Sequence, residues 1–199
     1  FIMDPAVGQG SLLIALIKVL ESSGKTIHAV GYETDENTAA TTTQALLRMF
    51  PDVEIDIRVG DFLEAVDKGT VGKYDYIIAN PPYIRTQIMG SDKAQSIAEK
   101  LSLTGRVDIY YAFLVYTKKA LKDDGIAGYI TSNKFMTIKA GVSVRDFALN
   151  NYRIHRIVDL GDTKLFAASV LPCIMVFTNG STNDGTTVSF TSVYQNNDV

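Results

Sequence analysis

Cysteine is almost missing from this 199-residue chain: Cys173 stands alone, so no internal disulfide can form. A reducing, cytoplasmic setting is the expectation that follows. Long apolar runs are missing too. None approaches the roughly 20 residues that a membrane helix needs, which leaves no membrane partner to expect. A basic surplus is also lacking, since 19 Lys and Arg face 22 Asp and Glu for a net charge of −3. A self-sufficient duplex binder normally carries such a surplus, so any grip on a nucleic-acid backbone is expected mostly from other regions of the polypeptide. The two histidines, His28 and His155, both sit in strand-like runs. Neither supports a Ser-His-Asp set or a general base, and no His/Cys/carboxylate spacing resembles a metal site. The apolar share of 46% against 21% charged residues is that of an ordinary globular core, enough for one full domain. Because FIMDPA reads as a strand already under way at Phe1, the chain is expected to be a piece of a longer protein.

In chain order, FIMDPAVGQGSLLIALIKVLESSGK reads as strand, glycine turn and helix. Leu12, Leu13, Leu16, Ile17 and Leu20 recur at helical spacing before Ser23-Gly24. IHAVGYE is a second strand ending near Glu33. Asp35, Glu36 or Asn37 then caps a helix over roughly Thr38 to Met49. VEIDIRV is a third strand, followed by Gly60-Asp61-Phe62, and YDYIIA a fourth, ending at Ala79. A polar stretch from Tyr83 to about Thr104 reads as a lid or substrate-contacting loop. A helix from Val107 runs to about Lys122-Asp123-Asp124-Gly125, IAGYIT is a fifth strand, and SVRDFALNN is a helix. RIHRIVDL and SVLPCIMVFT are strands whose GDTKLFAA link is too short for a crossover, so they should run antiparallel. TTVSFTSVY is a candidate edge strand. Strands alternating with helices predict an α/β fold with a mostly parallel, doubly wound sheet and this antiparallel hairpin near the C-terminal end.

Asn80-Pro81-Pro82-Tyr83 is the stretch with the clearest chemistry. Two prolines cannot continue a central strand, so the chain leaves the sheet in a stiff turn at a strand's carboxyl end, where open α/β sheets place ligands. A carboxamide, a carbonyl with no competing neighbouring N–H and an aromatic ring suit a planar amine-bearing ring. The plainer reading is a proline-stiffened turn with a buried tyrosine. Asp4-Pro5-Ala6-Val7-Gly8-Gln9-Gly10-Ser11 joins a strand-end carboxylate to glycines that allow close backbone approach. It has neither the dinucleotide GxGxxG spacing nor the lysine of a phosphate loop, and the acid favours a cationic or neutral ligand. Glu33, at the next strand end, is placed to hold ribose hydroxyls. Asp61 could accept from an adenine amino group with Phe62 packed on the ring, or cap a helix with Phe62 in the core. Cys173 reads as a core thiol, and Tyr110, Tyr111 and Phe113 as mostly core.

These residues resemble the amino-methyltransferases that use S-adenosylmethionine, most closely the adenine-N6 DNA methyltransferases of restriction–modification systems. The likeness runs through DPAVGQG, GYETDENT, GDF, IIANPPY, DIYYAF, GYITSNKFM and LGDTKLFAASVLPCIMVF. It implies a Rossmann-like methyltransferase fold, with residues 1–180 as the catalytic domain and 181–199 as an edge strand or the start of a following region. It further implies S-adenosylmethionine held by Asp4, Ala6, Gly8, Gly10, Glu33, Asp61, Phe62, Asn80 and Phe113. Asn80 and the Pro81 carbonyl, stiffened by Pro82, would accept the target amine's N–H bonds. Tyr83 and Phe166 would stack on the two faces of a flipped adenine. Double-stranded DNA is the implied partner, read with the help of a target-recognition domain or subunit outside this chain, and an upstream cofactor-binding segment is also expected. A protein-glutamine N5 methyltransferase shares NPPY, and a non-catalytic nucleic-acid-binding module on the same fold is the other alternative.

Overall fold

The structure, a computed structural model, describes residues 1–82, 98–99, 108–161, 171–180 and 187–193. The elements in chain order are β1 (Ile2–Asp4), α1 (Ser11–Glu21), β2 (His28–Glu33), α2 (Glu36–Met49), β3 (Glu54–Val59), α3 (Phe62–Asp67) and β4 (Tyr74–Ala79). They continue with α4 (Ile109–Ala120), β5 (Leu121–Ser132), α5 (Val142–Asn151), β6 (Tyr152–Asp159), β7 (Pro172–Asn179) and β8 (Ser189–Ser192). Two short 3₁₀ turns, Asn133–Met136 and Lys139–Gly141, lie between β5 and α5.

Among the described residues, eight strands join one sheet in the order β3-β2-β1-β4-β5-β7-β6-β8. β1 through β5 pair in parallel, and β7 runs antiparallel to both β5 and β6, as the short link between them requires. The edge strand expected in TTVSFTSVY is β8, parallel to β6. Alternation along the strands sends successive side chains to opposite faces. Ile2 and Ala29 join Leu13 and Ile17 of α1 and Leu46 of α2 in one core. Their neighbours Met3 and Val30 join Phe62, Leu114 and Tyr152 in the other, under α3, α4 and α5. Each face is therefore covered by helices, which is what a parallel sheet needs. Among the described residues, no helix is long and apolar enough to cross a membrane.

Two details differ from the sequence expectation. α3 is a helix that periodicity did not announce, because its six residues are too few to show a period. β5 begins at Leu121, so Lys122 to Gly125 belong to an irregular start of the strand and not to the end of α4. The pairing jumps from Tyr74↔Leu121 to Tyr76↔Ile126, and Asp124 takes φ 58°. Lys122 Nζ reaches both oxygens of Asp75 at 2.8 and 2.9 Å, which ties the irregular segment to β4.

β1 leads outward through β2 and β3, whereas β4 and β5 lie on its other side. The carboxyl ends of β1 and β4 therefore border the crevice where connections diverge, the usual ligand position in such sheets. Asp4-Pro5-Ala6 leaves from one lip and Asn80-Pro81-Pro82 from the other.

Candidate active site

The turn after β1 is fastened by several hydrogen bonds. Asp4 Oδ1 accepts from the Ala6 N–H at 3.0 Å, and the Gly10 N–H donates to the Val7 carbonyl at 2.8 Å. Gly8 and Gly10 take φ of 50° and 79°, a region that side chains disfavour. The Gly8 N–H donates to Glu33 Oε2 at 3.1 Å, and the Gly8 carbonyl accepts from Thr42 Oγ1 of α2 at 2.7 Å. Asp4 is only 1% exposed. Burial pushes its carboxyl up to about 7; the Ala6 N–H works the other way, and the negative charge of Glu33 adds to the rise.

Glu33 ends β2 with both oxygens engaged. Besides Gly8, the Asp35 N–H donates to Oε1 at 2.9 Å and the Thr34 hydroxyl at 3.3 Å. Asp35 in turn caps α2 by accepting from the Thr38 N–H. Asp61 caps α3, its Oδ1 accepting from the Leu63 N–H at 2.7 Å. The plainer reading of Asp61 is thus correct, and it leaves Oδ2 available for other work. Phe62 follows as the first residue of α3, with its ring 5.7 Å from that of Phe113 at 29° and 5.7 Å from that of Tyr32 at 64°.

A cavity of about 490 Å³ opens between these strand ends. Of the residues singled out from sequence, Ala6, Glu33, Asp61, Phe62, Asn80, Pro82 and Phe113 line it. Asp4, Gly8 and Gly10 do not. The Asp4 carboxyl is buried against the Ala6 N–H, and the Gly8 N–H is taken by Glu33, so they shape the wall from behind. Pro81 is buried beside Pro82 and is likewise not in the wall. Tyr83, Phe166 and almost all of the Tyr83-to-Thr104 stretch lie outside the described residues. Tyr32, Thr34, Leu63 and Ile109 are wall residues that the sequence reading passed over. Ile109 had a signal: it stands one helical turn before Phe113 and so shares its face.

The groups set aside from sequence sit elsewhere. His28 Nδ1 pairs with Glu54 at 2.6 Å, and His155 Nε2 lies 3.0 Å from the Thr178 hydroxyl. Tyr110, Tyr111 and Cys173 are buried, and burial pushes the Cys173 thiol up to about 12. Among the described residues, no group of His, Cys, Asp and Glu could hold a metal ion. The cavity chemistry is thus two carboxylates at successive strand ends, a stacked aromatic pair, and a carboxamide on a proline turn. Such walls suit a ligand with hydroxyls, an aromatic base and a reacting end near Asn80.

Known proteins give this geometry a lineage. Residues 15–166 match the model of the family described as Eco57I restriction-modification methylase. The type II methyltransferase M.BanIII of Aneurinibacillus aneurinilyticus is 37% identical over 211 residues, covering 98% of this chain and 36% of that protein. The chain therefore spans about a third of that relative's length. Among solved structures, a Listeria monocytogenes protein ascribed to the class I S-adenosylmethionine-dependent methyltransferases superposes with a TM-score of 0.78 at 19% identity, covering 96% of this chain and 58% of that one. The M protein of the type I restriction enzyme EcoKI does so with a TM-score of 0.64 at 18% identity, covering 91% and 40%. On a class I methyltransferase fold, the chain belongs to the Eco57I restriction-modification methylase family.

Proposed function

We propose that this chain is the catalytic core of a DNA methyltransferase that methylates the N6 amino group of a flipped adenine, using S-adenosylmethionine. The observation that carries the reading is the presence of Asn80 in the same cavity wall as Glu33, Asp61, Phe62 and Phe113. A grip for a planar amine and a set of groups suited to an adenosyl ligand thus share one space. The walls fit that cofactor: Glu33 would hold the ribose hydroxyls, Asp61 Oδ2 the adenine amino group, and the stacked pair Phe62 and Phe113 would give the adenine an apolar wall. Asp4 and the Gly8–Gly10 turn would shape the methionine end.

S-adenosylmethionine, when bound, supplies an electrophilic methyl group on a sulfonium. The residues of this chain act on the acceptor. An adenine amine is a poor nucleophile because its lone pair is delocalised into the ring. Asn80 Oδ1 and the Pro81 carbonyl, accepting its two N–H bonds, favour a more tetrahedral nitrogen and stabilise the positive charge that develops there. Pro82 stiffens the turn, so the acceptors are arranged beforehand. The proton can leave to water after transfer, so no strong base is required. Inside a duplex the amine is out of reach, and flipping the base costs a few kcal/mol of unstacking. Tyr83 and Phe166, stacking on the flipped ring, would offset part of this. Sequence reading and much of the backbone grip fall to a target-recognition domain or subunit.

The experiment is a transfer assay with methyl-labelled cofactor, offering the full-length protein duplex DNA and cell proteins separately. Label recovered in N6-methyladenine supports the proposal. Label in a glutamine amide of a protein overturns it in favour of the glutamine reading.

A further inference from the structure

Behind the adenine end of the cavity lies a second one of about 310 Å³. The two share Tyr32, Gly60 and Asp61 in their walls. Gly60 brings no side chain to the shared wall, and the Asp61 carboxylate is tied to the Leu63 N–H. The Tyr32 ring is therefore the bulk of the partition. It is 4% exposed and held from two directions. Arg58 Nη1 donates to its hydroxyl at 2.9 Å, and the Phe62 ring meets it edge-on at 5.7 Å. Arg58 is itself fixed, with Nε and Nη2 each 2.8 Å from Asp56 Oδ2. In the wall of the far cavity Lys68 pairs with Glu64 at 3.2 Å.

We propose that Tyr32 sets the size limit of the cofactor site, by closing it off from a neighbouring surface cavity that would otherwise admit an adenosyl ligand enlarged on its exocyclic amino nitrogen. The proposal rests on the reading of Asp61 as the acceptor for that amino group. Because Asp61 belongs to both walls, a substituent on the nitrogen it holds is directed at the partition. An aromatic ring latched by Arg58 and backed by Phe62 cannot swing aside without losing both contacts. Removing the ring joins the two spaces.

Calorimetric titration of the full-length protein with S-adenosylmethionine and with its N6-benzyl derivative tests this. The wild type should bind the unmodified cofactor and reject the derivative by at least 100-fold. Tyr32→Ala should bind the derivative at least tenfold more tightly than the wild type does. Tyr32→Phe keeps the ring and should still exclude it. Tyr32→Leu, which keeps apolar bulk in the core, serves if the alanine variant does not fold. A wild type that accepts the derivative within threefold of the cofactor overturns the proposal. So does a folded alanine or leucine variant that binds the cofactor yet still rejects the derivative. If the wild type does not bind unmodified S-adenosylmethionine, the cofactor reading itself fails and takes this proposal with it.

Discussion

The Gly8 N–H donates to Glu33 Oε2 across 3.1 Å, joining the turn after β1 to the end of β2. Because the Asp35 N–H and Thr34 hydroxyl engage Oε1, both carboxylate oxygens face donors. A glutamine cannot satisfy this arrangement, since its NH₂ must lie against an N–H on one side or the other. Glu33→Gln is therefore expected to disturb the turn and the proposed ribose grip together. Hydrogen bonds to charged groups contribute about 1.5–3 kcal/mol, or roughly 10- to 100-fold in affinity. Calorimetry with S-adenosylmethionine should show a loss in that range. Unchanged affinity would remove Glu33 from the site.

Asp4 makes a different prediction, about stability and pH. Its carboxyl is raised from 3.8 to about 7 by burial. Below pH 3.8 both folded and unfolded chains hold the proton. Between 3.8 and about 7 the folded state keeps a proton that the unfolded state has lost, so stability falls as pH rises through that window. Above 7 the full cost of burying the charge is present, on the order of 4 kcal/mol for about three pKa units. Asp4→Asn can keep the bond from the Ala6 N–H without the charge. It should be more stable than the wild type at pH 8, with the difference shrinking toward pH 4. Denaturant unfolding across that range checks the sign, and a difference that does not depend on pH would refute the account.

Gly141 is required for space, since its φ of −83° is open to any residue. A Cβ there would sit 2.2 Å from the Phe135 carbonyl oxygen and 2.8 Å from Arg145 Nη1. That carbonyl and the Ile138 carbonyl both accept from Arg145, so the crowded group is held in place. Gly141→Ala should cost about 1–3 kcal/mol, a fall in melting temperature of roughly 3–10 °C. A melting curve superimposable on the wild type would show that the two 3₁₀ turns can shift.

Local signals made most of the frame legible. Strand runs such as YDYIIA, the glycine stop after α1 and the short GDTKLFAA link each carry their structural meaning within a few residues. What was not legible depends on partners distant in sequence. Thr42, on α2, supports a carbonyl 34 residues earlier. Tyr32 reads as one more strand aromatic until Arg58, from the neighbouring strand, is seen to hold its hydroxyl. The Asp4 carboxylate is buried and accepts from the N–H two residues ahead, a burial its strand-end position does not announce. The start of β5 was misread because Lys122-Asp123-Asp124-Gly125 has the composition of a helix end. The ion pair from Lys122 to Asp75, 47 positions away, makes it part of the sheet.

Asn80 gives the sharpest test of the chemistry. It follows β4 directly, in the wall of the cavity and beside a turn fixed by two prolines. Its proposed task exists only while the amine is gaining positive charge, so its loss should fall on the rate and not on cofactor binding. Removing one preorganised hydrogen-bonding group of this kind typically costs about 10²- to 10³-fold in rate. Asn80→Ala in the full-length protein should therefore lose methyl transfer by at least that factor, while cofactor affinity stays within about threefold. Asn80→Asp separates acceptor from amide. It retains an oxygen for the amine but adds a charge beside Glu33 and Asp61, so partial recovery at lower pH should distinguish it from the alanine variant. Single-turnover transfer, together with calorimetry on the same samples, reads both quantities. Turnover by Asn80→Ala close to that of the wild type would sink the role assigned to this residue, and with it the reading of the proline turn as the grip on the amine.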